Sequence, residues 1–223
     1  MSSPFPELDN FIEKYNSTLH VAQSKAIYVR GIEIQQEQIR VIDNLLQDIK
    51  FHKDIAIREC NNIKSNLILC LELCASAVRN ELLFLISLKE DKPDLAWQLL
   101  IRAQNEIALA IRNHPFNGDY LNGYSHRLFL YEKTLFPEMY FASRGCVVSR
   151  SKCSICNDFI EDCEHIVGYA YMGEICCQII QEIKSIEEIS LVKNPADKSC
   201  RVILFNENGK AFDIFTHREI MEK

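Results

Sequence analysis

Apolar residues recur at alternating three- and four-residue spacing through much of the first half of the chain. The row runs Ile32, Gln35, Ile39, Ile42, Leu46, Ile49, Lys53 and Ala56, and continues in register through Cys60, Ile63, Leu67, Cys70, Cys74 and Ala77. That repeat is the seam of a coiled-coil-like helix. Gln35 and Lys53 weaken it without breaking its period. Between Glu7 and Lys92 there is no proline, and Gly31 is the only glycine, so the backbone chemistry permits helix throughout. One straight helix from Gly31 to Lys92 would be roughly 90 Å long at 1.5 Å per residue. A bend or a helical hairpin is the more economical solution. Asn61-Asn62 and Ser65 are the weakest helix formers at which to place it, and the pattern leaves both forms open.

Asp91-Lys92-Pro93 reads as the next helix start, with Asp91 as N-cap and Pro93 in the first turn. That helix turns Leu95, Ala96, Leu99, Leu100, Ala103, Ile107 and Ala110 inward and stops before His114-Pro115. After the Asn117-Gly118-Asp119 turn, a shorter helix spans about Tyr120 to Leu135 and ends before Pro137.

The pattern changes near residue 143. Val147-Val148 reads as a short strand, and Ile189–Val192 as another, closed by Asn194-Pro195. Arg201–Phe205 and Ala211–Phe215 flank Asn206–Lys210 as a hairpin, with Gly209 at the left-handed position. Ile175, Ile179, Ile180, Ile183 and Ile186 favour a short helix by spacing, although their β-branched side chains also suit a strand. The expected architecture is α+β, mainly α. An elongated, coiled-coil-like helical domain occupies residues 1–143, and a small zinc-binding β-rich module occupies 144–223.

Charge narrows the function. The chain of 223 residues carries 25 basic and 31 acidic side chains, a formal charge of -6. The balance is 15 to 18 before residue 144 and 10 to 13 after it. Neither part is a basic platform for nucleic acid or an anionic membrane. Arg144, Arg150 and Lys152 form the best local patch for phosphate contacts. No uncharged apolar run reaches membrane-spanning length, and the Met-Ser-Ser-Pro-Phe-Pro-Glu start lacks the features of a secretory leader. The expected location is the cytoplasm, with reduced thiols.

Ten cysteines carry the chemistry, and seven of them fall in the last 80 residues. Cys70 and Cys74 lie on the helical row and read as core. Cys153-x2-Cys156 is a knuckle that brings two sulfurs to one ion, and Cys163-x-His165 follows after six residues. Zinc takes four such ligands in a tetrahedron, so the first ligand set is Cys153, Cys156, Cys163 and His165. A competing set keeps Cys153 and Cys156 and draws its other two ligands from Cys163, His165 and Cys176. Glycines at 168 and 173 offer a way to return Cys176 to the ion. Complete protein ligation makes the zinc structural, whereas three ligands and a water beside Glu161 or Glu164 would make a hydrolase.

The phrase Cys153-x2-Cys156-x6-Cys163-x-His165-x2-Gly168-x2-Tyr171-x-Gly173-x2-Cys176 is similar to a small zinc-binding module of phage and prokaryotic proteins. Ile189–Asp197 resembles the strand-and-turn phrase of phage capsid-maturation proteases. The resemblance implies a zinc-stabilised β module. It does not imply proteolysis, because Ser190 has no partner that the sequence nominates. The expected function is a non-enzymatic zinc-containing interaction or regulatory subunit of a prokaryotic assembly, phage-related or anti-phage. Its partner is another protein or a second copy, engaged through the long helices. A nucleic-acid-binding accessory protein and a metal-dependent hydrolase are the alternatives.

Overall fold

A computed structural model describes residues 4–27 and 29–220. The chain divides into two compact units, Met1–Leu128 with Ile166–Cys176, and Phe129–His165 with Cys177–Lys223.

The first unit is helical: α1 (Asp9–Ser24), α2 (Ile32–Arg58), α3 (Asn62–Lys89), α4 (Pro93–Asn113) and the start of α5 (Asn122–Leu135). The long seam resolves into an antiparallel hairpin. Lys89 donates to Gln35 (2.7 Å), Arg79 to Asp43 (2.5 Å), and Lys53 pairs with Glu72. The residue numbers in each pair add to nearly the same value, as only a chain folded back near residue 61 allows. At the turn Cys60 adopts φ 52°, and the Asn61 amide reaches back to the Ala56 carbonyl (3.1 Å). That left-handed residue with a six-to-one bond is a Schellman end. Asn61 then caps α3 by accepting the Lys64 amide at 3.0 Å. The sequence row passes through this turn in register, yet Cys60 and Ile63 are exposed because the chain has reversed there.

Helix α3 is central. Eight consecutive residues, Lys64 to Leu71, are buried, so it has no solvent stripe along that stretch. Its C-terminal end repeats the same device. Asp91 takes φ 57° while the Lys92 amide bonds to the Ser87 carbonyl (2.9 Å). Asp91 therefore closes α3 rather than capping α4, whose N-cap is Lys92, with Pro93 in the first turn. On α4 the inward row includes Trp97, while Leu95 is exposed.

Gln35, Glu106 and Glu81 are paired inside this unit. Gln35 is fully buried and donates to the Ala26 carbonyl (2.7 Å) besides accepting from Lys89. Glu106 accepts from Ser76 (2.7 Å) and Asn80 (2.9 Å), and burial raises its carboxyl above the usual range. Glu81 accepts from Tyr124 (2.9 Å) and Arg127 (2.8 Å).

Three asparagines carry a segment that is remote in sequence. Strands β2 (Ala170–Tyr171) and β3 (Glu174–Ile175) form a minimal hairpin around Met172 and Gly173, both at positive φ. Asn62 accepts the Met172 amide (2.8 Å) and Asn66 accepts the Gly173 amide (2.8 Å). Asn66 also donates to the Ala170 carbonyl (3.1 Å). Asn113 accepts the Ala170 amide (2.7 Å) and donates to the Gly168 carbonyl (3.1 Å). A Cβ at Gly173 would come within 3.2 Å of Lys53. The glycine phrase is thus explained by close approach and left-handed backbone.

The second unit contains β1 (Phe141–Cys153) and β4 (Gln178–Val192), paired antiparallel, and the hairpin β5 (Leu204–Glu207) with β6 (Lys210–Asp213). Asn208 and Gly209, both at positive φ, make the two-residue turn of that hairpin. Residues 178–186, whose spacing favours helix, are strand.

Replacing Asn66 with Ala leaves the buried Gly173 amide and the Ala170 carbonyl without this partner. The expected loss is about 1–3 kcal/mol in urea unfolding, with faster hydrogen exchange at Gly173 than at the helix amides.

Candidate metal centre

Strand β1 delivers Cys153, fully buried, to the start of a tight loop. The Asn157 amide donates to the Cys153 carbonyl and the Cys153 amide to the Asp158 carbonyl, both at 2.9 Å. Asn157 sits at φ 64°, which an asparagine tolerates. The Ile160 amide then bonds to the Ser151 carbonyl (3.1 Å), and Lys152 bridges to Phe159. This short return brings Cys156 beside Cys153. The Ile155 amide donates toward the Cys153 sulfur (3.4 Å). Ser154 fixes the back of the loop through two bonds with the Cys177 backbone, at 3.0 and 2.8 Å.

A second turn closes when the Asp162 amide reaches the Phe159 carbonyl (3.0 Å). It places the Cys163 sulfur 3.8 Å from the Ile160 carbonyl oxygen. The sulfurs of Cys153, Cys156 and Cys163 and a ring nitrogen of His165 all lie within 4.8 Å of one another. Tetrahedral zinc with sulfur at about 2.3 Å and nitrogen at about 2.0 Å separates its ligands by roughly 3.5–3.8 Å. The four side chains therefore need a contraction of about 1 Å at most to close on an ion of that size.

The donor set selects the metal. Three sulfurs and an imidazole suit zinc, whereas calcium and magnesium take oxygen. The thiols also crowd one another. The Asp158 backbone lowers the Cys156 pKa, but desolvation and the neighbouring Cys153 outweigh it, and the thiol is pushed up to about 11. A second thiolate is thus disfavoured beside the first until a cation stands between them. Metal uptake must expel protons, so affinity falls as pH falls.

Cys176 is buried but is not a member of this group. Its amide donates to the Tyr169 carbonyl and its carbonyl accepts the Gly168 amide, both at 2.8 Å. Glu161, Asp162 and Glu164 are exposed and also lie outside the group. The basic residues separate. Paired residues share a face of the β1–β4 ribbon and successive pairs alternate. By that rule Arg144, opposite Ile189, lies on one face, while Arg150 and Lys152, opposite Glu182 and Ile179, lie on the other. Arg150 also stacks over the Phe159 ring at 5.7 Å. Sequence reasoning missed the positioning asparagines Asn66 and Asn113; their only local signal is a polar amide on an otherwise apolar helical face.

The fold and site define a helical-hairpin protein with a Cys3His cluster that can hold a metal ion. Comparison of the chain with family models, curated proteins and solved structures finds no match to any of them. Among the described residues no helix is long and apolar enough to cross a membrane.

Single substitutions separate the two ligand sets. Cys153→Ser and Cys163→Ser should lower zinc affinity at least tenfold in chelator competition, whereas Cys176→Ser should retain one zinc per chain by metal analysis.

Proposed function

We propose that the protein is a non-catalytic, zinc-stabilised interaction subunit. The observation that carries this reading is the donor set: three cysteines and one histidine within 4.8 Å of one another offer four protein ligands, the number a closed tetrahedral site takes. A complete set leaves no position for a water or substrate, and the nearby carboxylates lie outside the cluster, where they are solvated. The role of the ion follows from the packing of its own unit. Among the described residues of Phe129–His165 and Cys177–Lys223 the buried apolar side chains are few: Phe136, Met139, Phe141 and Cys153. A ribbon with so small a core gains its folding energy from metal ligation. The helical unit supplies a rigid body, and the zinc unit supplies a second presenting surface. The setting in a prokaryotic, phage-linked or anti-phage assembly is supported by the sequence phrase around the ligands.

Cobalt substitution tests the closed site. The cobalt protein should show the absorption of tetrahedral thiolate-imidazole ligation, and added azide should leave the spectrum unchanged. A spectrum that shifts on titration with azide would reveal an exchangeable position and favour hydrolysis.

A further inference from the structure

The β1–β4 ribbon carries an apolar row that the zinc site does not use. The first twelve residues of β4, Gln178 to Ile189, are all exposed. Its isoleucines recur every third residue, so in a regular strand they would alternate between faces. The pairing register changes that. Four shifts interrupt the ladder, leaving Gln181, Lys184 and Glu187 unpaired on β4 and Ser149 unpaired on β1. Each one-residue insertion reverses the alternation. Ile180, Ile183, Ile186 and Ile189 therefore fall on one face, Leu191 continues the row, and Val148 lies opposite Ile183. Their exposures are 49%, 48%, 63% and 75% for the isoleucines and 67% for Leu191. Three bulges in phase with three isoleucine intervals gather an apolar face that a plain ladder would split.

We propose that this face docks on the same face of a second copy, so that two ribbons stack as a four-stranded sandwich about a two-fold axis. Area reaches the lower end of a specific contact, about 1,000–1,200 Å² over the two copies. Five side chains at these exposures leave roughly 500–600 Å² of apolar surface in water, against about 800 Å² per partner in a standard interface. Charge supports a self-contact. Among the paired residues of this face only Arg144 is charged, while Arg150, Lys152, Glu182 and Glu188 occupy the other face. Two copies can therefore meet without burying an opposed array of like charges. Shape supports it as well, because an evenly spaced row of aliphatic side chains of similar size is complementary to itself, as an isologous contact requires. A lipid surface fits less well, since the ribbon's acidic residues and the net charge of -6 oppose phosphate headgroups. This inference does not depend on the closed zinc site, and its test uses the zinc-loaded full chain.

Sedimentation velocity under thiol reductant should show a dimer at about 1–100 µM, the range appropriate to an interface of this size. Ile183→Glu with Ile186→Glu should sediment as a monomer with unaltered circular dichroism and zinc content. Ile189→Glu alone should raise the dissociation constant at least tenfold. Ser185→Glu, on the opposite face, should leave the dimer intact. A wild-type monomer at the upper concentration, or a dimer that survives these isoleucine substitutions, would overturn the proposal. Flotation of a monomeric wild type with phosphatidylcholine vesicles would overturn it too, by assigning the face to lipid.

Discussion

Three thiols and an imidazole lie within 4.8 Å of one another in the second unit, and an ion is what would hold them together. Desolvation and the neighbouring Cys153 push the Cys156 thiol up to about 11, and a cation between the two sulfurs would relieve that opposition. The loops that hold them are short and closed by backbone hydrogen bonds, so the ligands are placed by local chain geometry rather than by a surrounding core. The consequence is a unit whose β-ribbon is long but thinly packed. An ion held by the cluster would add order at one end, and the apolar row on the ribbon is exposed.

The helical unit solves the opposite problem. It has core in excess, with α3 buried almost all round, and it must satisfy the polar groups that this burial encloses. Gln35, Asn66, Glu81, Glu106 and Asn113 are all paired, most of them with groups far away in the chain. These buried or part-buried hydrogen bonds fix register as much as they add stability. The asparagine clamp is the clearest case. It captures residues 168–173 through five hydrogen bonds, so the phrase that follows His165 becomes part of the helical unit.

What the sequence revealed depended on whether the cause was local. The long helices were legible from their seam, and the Cys3His cluster from spacing, because a knuckle is a property of a few adjacent residues. The hairpin was half legible. The row of seam positions runs through Cys60 and Ile63 without a break, and only the left-handed Cys60 and the capping Asn61 reveal the reversal. The reading of Asp91 as an N-cap failed because the same residue type also tolerates the left-handed end of the preceding helix. The ribbon was obscured by its own bulges. Isoleucines three apart imitate a helix, and the insertions at Gln181, Lys184 and Glu187 that restore one face are visible only in the pairing. Asn66 and Asn113 were illegible for a further reason: their partners lie 104 and 55 residues away.

The central claim is a closed tetrahedral zinc site built from Cys153, Cys156, Cys163 and His165. X-ray absorption at the zinc edge of the purified, full-length protein tests it most directly. The expected shell holds three sulfur neighbours at about 2.3 Å and one nitrogen at about 2.0 Å, with imidazole scattering beyond and no oxygen. A shell with a water oxygen, a fourth sulfur in place of the imidazole, or no bound zinc would contradict it.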